Sequence, residues 1–214
     1  MRRLFPILLI SGFVFQYACN KSRHSRRSVA EQSENSESNA AKSASNVPQQ
    51  GLALVWKRYR ALESGLMTGL SLTKDQVCTE LGTNSCIDKV HLTVLGGNEP
   101  YQNGQYERAQ NPSVLTAVAV DRVVLSACGK RLELDRAAGA GAQVFKFFAL
   151  GAAKPNDDQV KQQAIELYHR LLAREPEAAE LQAIAGFSAS SVAADKLALS
   201  LCFAIGTSSE NIFL

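Results

Sequence analysis

Residues 112–135 read PSVLTAVAVDRVVLSACGKRLELD. Within this run Ala117, Val120, Val124 and Cys128 recur at steps of three and four, which puts them on one face of a helix. Pro112-Ser113 opens the helix, and it ends near Asp135, ahead of the flexible Gly139-Ala140-Gly141. The same periodicity continues on both sides. Leu52, Val55, Tyr59, Leu62 and Leu66 step by three and four and predict a first helix. Thr73 and Gln76 form a capping-box pattern for a short helix through Val77 and Leu81, with Gly82 as its stop. Asn156 is placed to cap a further helix, with Asp157 and Asp158 in its first turn, where negative charge suits the helix dipole. Val160, Ala164, Leu167 and Leu171 form its apolar face. Pro176 suits the first position of a helix carrying Leu181 and Ile184. A last helix, Ser191–Ile205, is apolar on all sides from Leu197 onward and reads as the buried centre of a bundle. Val90–Leu95 is a lone candidate strand without an obvious partner. The expected fold of residues 51–214 is therefore all-α, a bundle of about six helices.

The chain ahead of this domain is of another kind. Arg2 and Arg3 precede the apolar stretch Leu4–Ala18, and Cys19 follows. A charged start, a short apolar core and a small residue before the junction describe a signal peptide over 1–18. Its apolar core of 15 residues is short for a membrane span, which needs about 20. Residues 19–50 are rich in Ser, Asn, Gln, Lys, Arg and Glu. They cannot bury enough apolar surface to offset the entropy of ordering, so they read as a disordered tether with a reach of roughly 30 Å. Lys21, Arg23, Arg26 and Arg27 form a basic cluster at its start. With the two tails set aside, residues 51–214 carry 16 basic and 17 acidic side chains. That balance lacks the electrostatic footprint of a nucleic-acid binder.

The junction Gln16-Tyr17-Ala18-Cys19 resembles the lipobox of bacterial lipoproteins at Ala18 and Cys19, and departs from it at Gln16 and Tyr17. The resemblance implies a covalent lipid, including palmitate, on Cys19 as the mature N-terminus, and so a lipid bilayer as partner. Asn20, where the inner-membrane sorting rule expects Asp, implies an outer-membrane address, periplasmic or surface-facing.

An exported chain meets an oxidising compartment, where cysteines pair. With Cys19 lipidated, Cys78, Cys86, Cys128 and Cys202 remain, and four cysteines allow three connectivities. Cys78–Cys86 would close a local loop around Gly82-Thr83-Asn84, and Cys128–Cys202 would staple two core helices. The competing reading is zinc on Cys78, Cys86 and His91, whose spacing is not that of a standard site, so no metal is expected. No C-x-x-C-H haem-attachment motif occurs.

No nucleophile elbow, phosphate-binding loop, zinc-protease motif or dinucleotide fingerprint is present. Glu63, Glu80 and Asp121 read as residues of solvated helix faces, and His169 as a boundary residue. No catalytic residue is assigned. Gly96–Asn111, GGNEPYQNGQYERAQN, is a long segment with no periodicity, and such loops are often functional. Tyr101 and Tyr106 are its candidate partner-binding residues, the alternative being rings packed on their own domain.

Leu167-Tyr168-His169-Arg170-Leu171-Leu172-Ala173-Arg174-Glu175-Pro176, followed by Glu180-Leu181, resembles the LY-x-x-LL-x-R-x-P-x-x-x-EL helix pair of multidomain planctomycete proteins associated with cytochrome-type domains. Leu201–Glu210 is similar to their closing helix, with Asn211 and Ile212 in place of the usual Phe-Leu order. That resemblance implies a helical exported domain and an association with periplasmic redox systems. Three functions follow as expectations. The first is a membrane-anchored, non-catalytic domain that binds an envelope protein and needs no cofactor beyond its lipid. The second is an accessory of electron transport, holding haem non-covalently through His91 or His169. The third is an envelope hydrolase that uses acidic residues.

Overall fold

The computed structural model describes residues 55–151, 154–188 and 192–214. The expected signal peptide at 1–18, Cys19, the expected tether at 19–50 and Leu52 lie outside the described residues. Among the described residues eight α-helices dominate, five of them long, so the all-α class holds. In chain order they are α1 (Tyr59–Gly69), α2 (Lys74–Val77), α3 (Pro100–Asn103), α4 (Val114–Ala138), α5 (Asp157–Leu172), α6 (Ala178–Ser188), α7 (Ala194–Gly206) and α8 (Ser209–Ile212). A two-residue hairpin, β1 (Thr79–Glu80) and β2 (Asn84–Ser85), follows α2. No helix among the described residues is long and apolar enough to cross a membrane.

The caps are local, and most form as their residues dictate. The Ser113 hydroxyl accepts the Thr116 N–H at the start of α4. Asn156 Oδ1 accepts the Gln159 N–H at 2.9 Å, and Gln159 returns a bond to the Asn156 N–H at 3.0 Å. The Thr73 N–H donates to Gln76 Oε1 at 3.0 Å.

α4 and α7 pack face to face, and α5 packs against α1, α6 and α7. Gly206 allows the first contact: a Cβ there would lie 2.7 Å from Val124 Cγ1. Gly69 does the same between α1 and α5, where a Cβ would sit 2.7 Å from the Arg170 carbonyl. Both expected disulfides are present. Cys78–Cys86 closes the β1–β2 hairpin with Cα atoms 5.4 Å apart. Cys128–Cys202 joins α4 to α7 with Cα atoms 5.9 Å apart.

The segment between α4 and α5 carries Val144, Phe145 and Phe148 into the core. Its backbone polar groups go with them and need partners. Asp135 accepts the N–H groups of Gln143, Val144 and Phe145 at 2.8, 3.0 and 2.7 Å, and Arg131 pairs with it at 2.6 Å. Gln163 of α5 donates to the Val144 carbonyl at 2.9 Å and accepts the Phe147 N–H at 3.3 Å. Neither Asp135 nor Gln163 exposes any surface.

Several expected boundaries and faces are corrected. α1 begins at Tyr59, and Val55 is exposed, because the segment ahead of it pairs with the C-terminal residues instead. Trp56 bridges Phe213, the Lys57 N–H donates to the Ile212 carbonyl at 2.7 Å, and the Leu214 N–H donates to the Val55 carbonyl at 2.7 Å. α2 stops at Val77 because Cys78 turns extended into the hairpin, which leaves Leu81 exposed at its tip with φ 51°. Val90–Leu95 is no strand. Cys86–Val90 is a π-helical turn, and the Leu95 N–H folds back to the His91 carbonyl at 2.9 Å. On α4, Ala117 is exposed while Ala119, Val120, Val123, Val124 and Ala127 are buried, and the helix runs past Asp135 to Ala138. α6 starts at Ala178, with the Leu181 N–H donating to the Glu177 carbonyl, so Pro176 precedes its first position. α7 begins at Ala194 and is not buried on all sides. Leu197, Ala198, Leu201, Cys202 and Ile205 are buried, but Ser200 and Ala204 are exposed.

Candidate functional site

The 96–111 segment is tied down at its base. Gly96 has φ 79°, and a Cβ there would meet the Trp56 ring at 2.9 Å and Arg58 Cγ at 3.0 Å. Glycine therefore serves both the left-handed turn and the close seat of the indole. A Cβ on Gly97 would fall 2.3 Å from Leu92 Cδ1. The Thr116 hydroxyl donates to the Val94 carbonyl at 2.8 Å and fixes the preceding turn to α4. Beyond this base the chain closes on itself. The Gln105 N–H donates to the Glu99 carbonyl at 3.3 Å, and Gly104 ends the single turn of α3 in a left-handed conformation.

That turn carries Tyr101, and Tyr106 follows the bridge. Their exposures are 98% and 76%. The rings do not pack on their own domain, so that alternative is overturned. An exposed ring on a backbone held at both ends offers contact area at low ordering cost. The loop brings the two tyrosines onto one short segment.

His91 lies beside the hairpin. Its Nε2 is 3.3 Å from Glu80 Oε1, and Arg122 Nε donates to the same oxygen at 2.9 Å. Glu80 is thus half-buried in an ion cluster and does not stand on a solvated face. Glu63 is buried as well, paired with Arg60 at 2.7 Å, while Asp121 is exposed as expected. Cys78, Glu80 and Cys86 place one potential ligand atom each within 4.8 Å of one another. Both sulfurs are joined in the disulfide, so neither is a thiolate donor here. His169 sits at the surface, 2.6 Å from Glu175.

Sequence reasoning passed over a second feature. A cavity of about 460 Å³ opens between residues 55–58, Ala61, residues 110–112 and Leu214. Trp56 is 5% exposed, and its indole N–H has no partner. The available signal was the run Trp56-Lys57-Arg58, which sets the chain's single tryptophan beside two cations. A separate cluster ties α5, α6 and α8. Arg174 pairs with both Glu180 and Glu210 at 2.7 Å, and its guanidinium lies over the Tyr168 ring. No protein-family model, no curated protein and no solved structure matches this chain.

Proposed function

We propose that the protein is a membrane-anchored envelope lipoprotein whose helical domain is a non-catalytic docking module. Cys19 is its lipid attachment point, residues 20–50 its tether, and the outer membrane its address, with the domain facing the periplasm or the cell surface. Tyr101 and Tyr106 contact an envelope protein. One observation supports the docking role above the others: two almost fully exposed tyrosines sit on a loop whose base is pinned by Gly96, Gly97 and the Thr116–Val94 hydrogen bond. Two disulfides suit an oxidising compartment.

The test has two parts. Intact mass of the chain isolated from its native membrane should show an acylated Cys19 N-terminus and a gain of four hydrogens on reduction. In crosslinked pull-downs, Tyr101→Ala with Tyr106→Ala should reduce capture of the partner by at least about tenfold, as for the loss of two interface anchors. The thermal midpoint should stay unchanged. A lower midpoint with capture intact would make the loop structural.

A further inference from the structure

The cavity at Trp56 has the chemistry of an anion site. Lys57 and Arg58 line it, and among the described residues no carboxylate pairs with either. Arg60, Arg122, Arg131, Arg170 and Arg174 are each held by a carboxylate elsewhere, whereas Lys57 and Arg58 share one opening without one among the described residues. Burial holds the Lys57 ammonium below its ordinary range, which an arriving anion would relieve. Trp56 packs behind this opening with its indole buried, and Asn111 adds an amide to the wall.

The rim is apolar. Val55 and Leu214 line the cavity and are exposed, and Pro112 lies between them and the start of α4. From there Val114, Leu115, Val118 and Leu125 form an exposed stripe along α4. Their spacing keeps them within about a third of the helix circumference, with Arg122 among them and Asp121 at the edge. A soluble surface rarely leaves such a stripe uncovered without a use.

We propose that this face docks on an anionic phospholipid surface. The cavity takes a headgroup phosphate between Lys57 and Arg58, and the α4 stripe rests among the upper acyl chains. Charge complementarity selects a lipid over a second copy of the chain, because a like face would bring the same unpaired cations together. The inference is separate from acylation at Cys19. Docking would fix the orientation in which the module presents its tyrosine loop.

Trp56 is the only tryptophan and so reports on its own site. The full chain is reconstituted with vesicles of phosphatidylcholine alone or of phosphatidylcholine with phosphatidylglycerol, each carrying nitroxide-labelled lipid, and flotation is scored separately. Trp56 emission should be quenched on the anionic vesicles and much less on the neutral ones. Lys57→Gln with Arg58→Gln should lower the docked-to-undocked ratio by about 30-fold, at about one surface charge's worth per residue. Leu115→Glu with Val118→Glu, which changes only exposed positions, should abolish quenching while leaving flotation intact. A chain that floats with Trp56 unquenched overturns the docking and leaves the anchor standing. A quenched chain that floats only on anionic vesicles supports the docking and removes the anchor. A Trp56 response to inorganic phosphate alone, without quenching on vesicles, overturns the lipid in favour of a free anion. Disulfide-linked dimers of Val118→Cys that form before vesicles are added overturn it in favour of a second copy.

Discussion

Asp135 exposes no surface and yet is a carboxylate. It is tolerated because three backbone N–H groups and Arg131 converge on it, and such a convergence offsets the cost of removing charge from water. Its role is to hold the α4–α5 connection in the core. Glu180 shows the same logic nearer solvent. The Arg174 guanidinium, then the Glu177 N–H, hold its carboxyl at about 2, below the ordinary 4.5. A depressed carboxyl contributes stability that is fully present above its unfolded value and lost as protons return. The contribution of Glu180 is therefore complete above pH 4.5 and declines as pH falls toward 2. Thermal midpoints recorded across that window should fall more steeply for the native chain than for Glu180→Gln. Added salt should narrow the difference, because the pair is partly solvated.

At the scale of elements, two helical glycines should respond oppositely to a methyl group. Gly206 of α7 abuts Val124 of α4, so Gly206→Ala forces the helices apart and should cost about 1–3 kcal/mol. Gly65 of α1 faces open space, and Gly65→Ala should stabilise by about 0.5–1 kcal/mol through helix propensity. Urea unfolding of both variants checks the pair. Helix existence was legible at this scale: the three-and-four spacing of Tyr59, Leu62 and Leu66, or of Val160, Ala164, Leu167 and Leu171, is a local property. Helix limits were less so. Thr73 and Gln76 announced α2, but its end was decided by the Cys78–Cys86 hairpin, eight residues across. Val90–Leu95 shows the strongest departure. Its apolar run looks extended in sequence, but with no strand beside it the backbone satisfies itself in tight turns.

For the whole molecule, the two disulfides differ in what they constrain. Cys78–Cys86 closes a span of 8 residues, and Cys128–Cys202 one of 74. Loop-closure entropy assigns them about 2.5 and about 4.5 kcal/mol. Replacing the second pair with alanines should accordingly lower the denaturation midpoint more than replacing the first. Both bridges lie within the core, so either replacement adds a packing defect to the entropic loss.

The all-α class, the helix caps and the unusual character of residues 96–111 were determined by the sequence, because periodicity, capping and loop composition act between neighbours; which of three cysteine connectivities forms was left to the tertiary structure. Only the tertiary structure decided which α4 residues face water, that Tyr101 and Tyr106 are free of the domain, and that Glu63 and Glu80 are enclosed in ion pairs. It alone gathered Trp56, Lys57, Arg58, Asn111 and Leu214 around one cavity. The physical reason is range. Burial and polar satisfaction depend on which distant backbone groups converge, and no spacing within a single helix encodes that convergence.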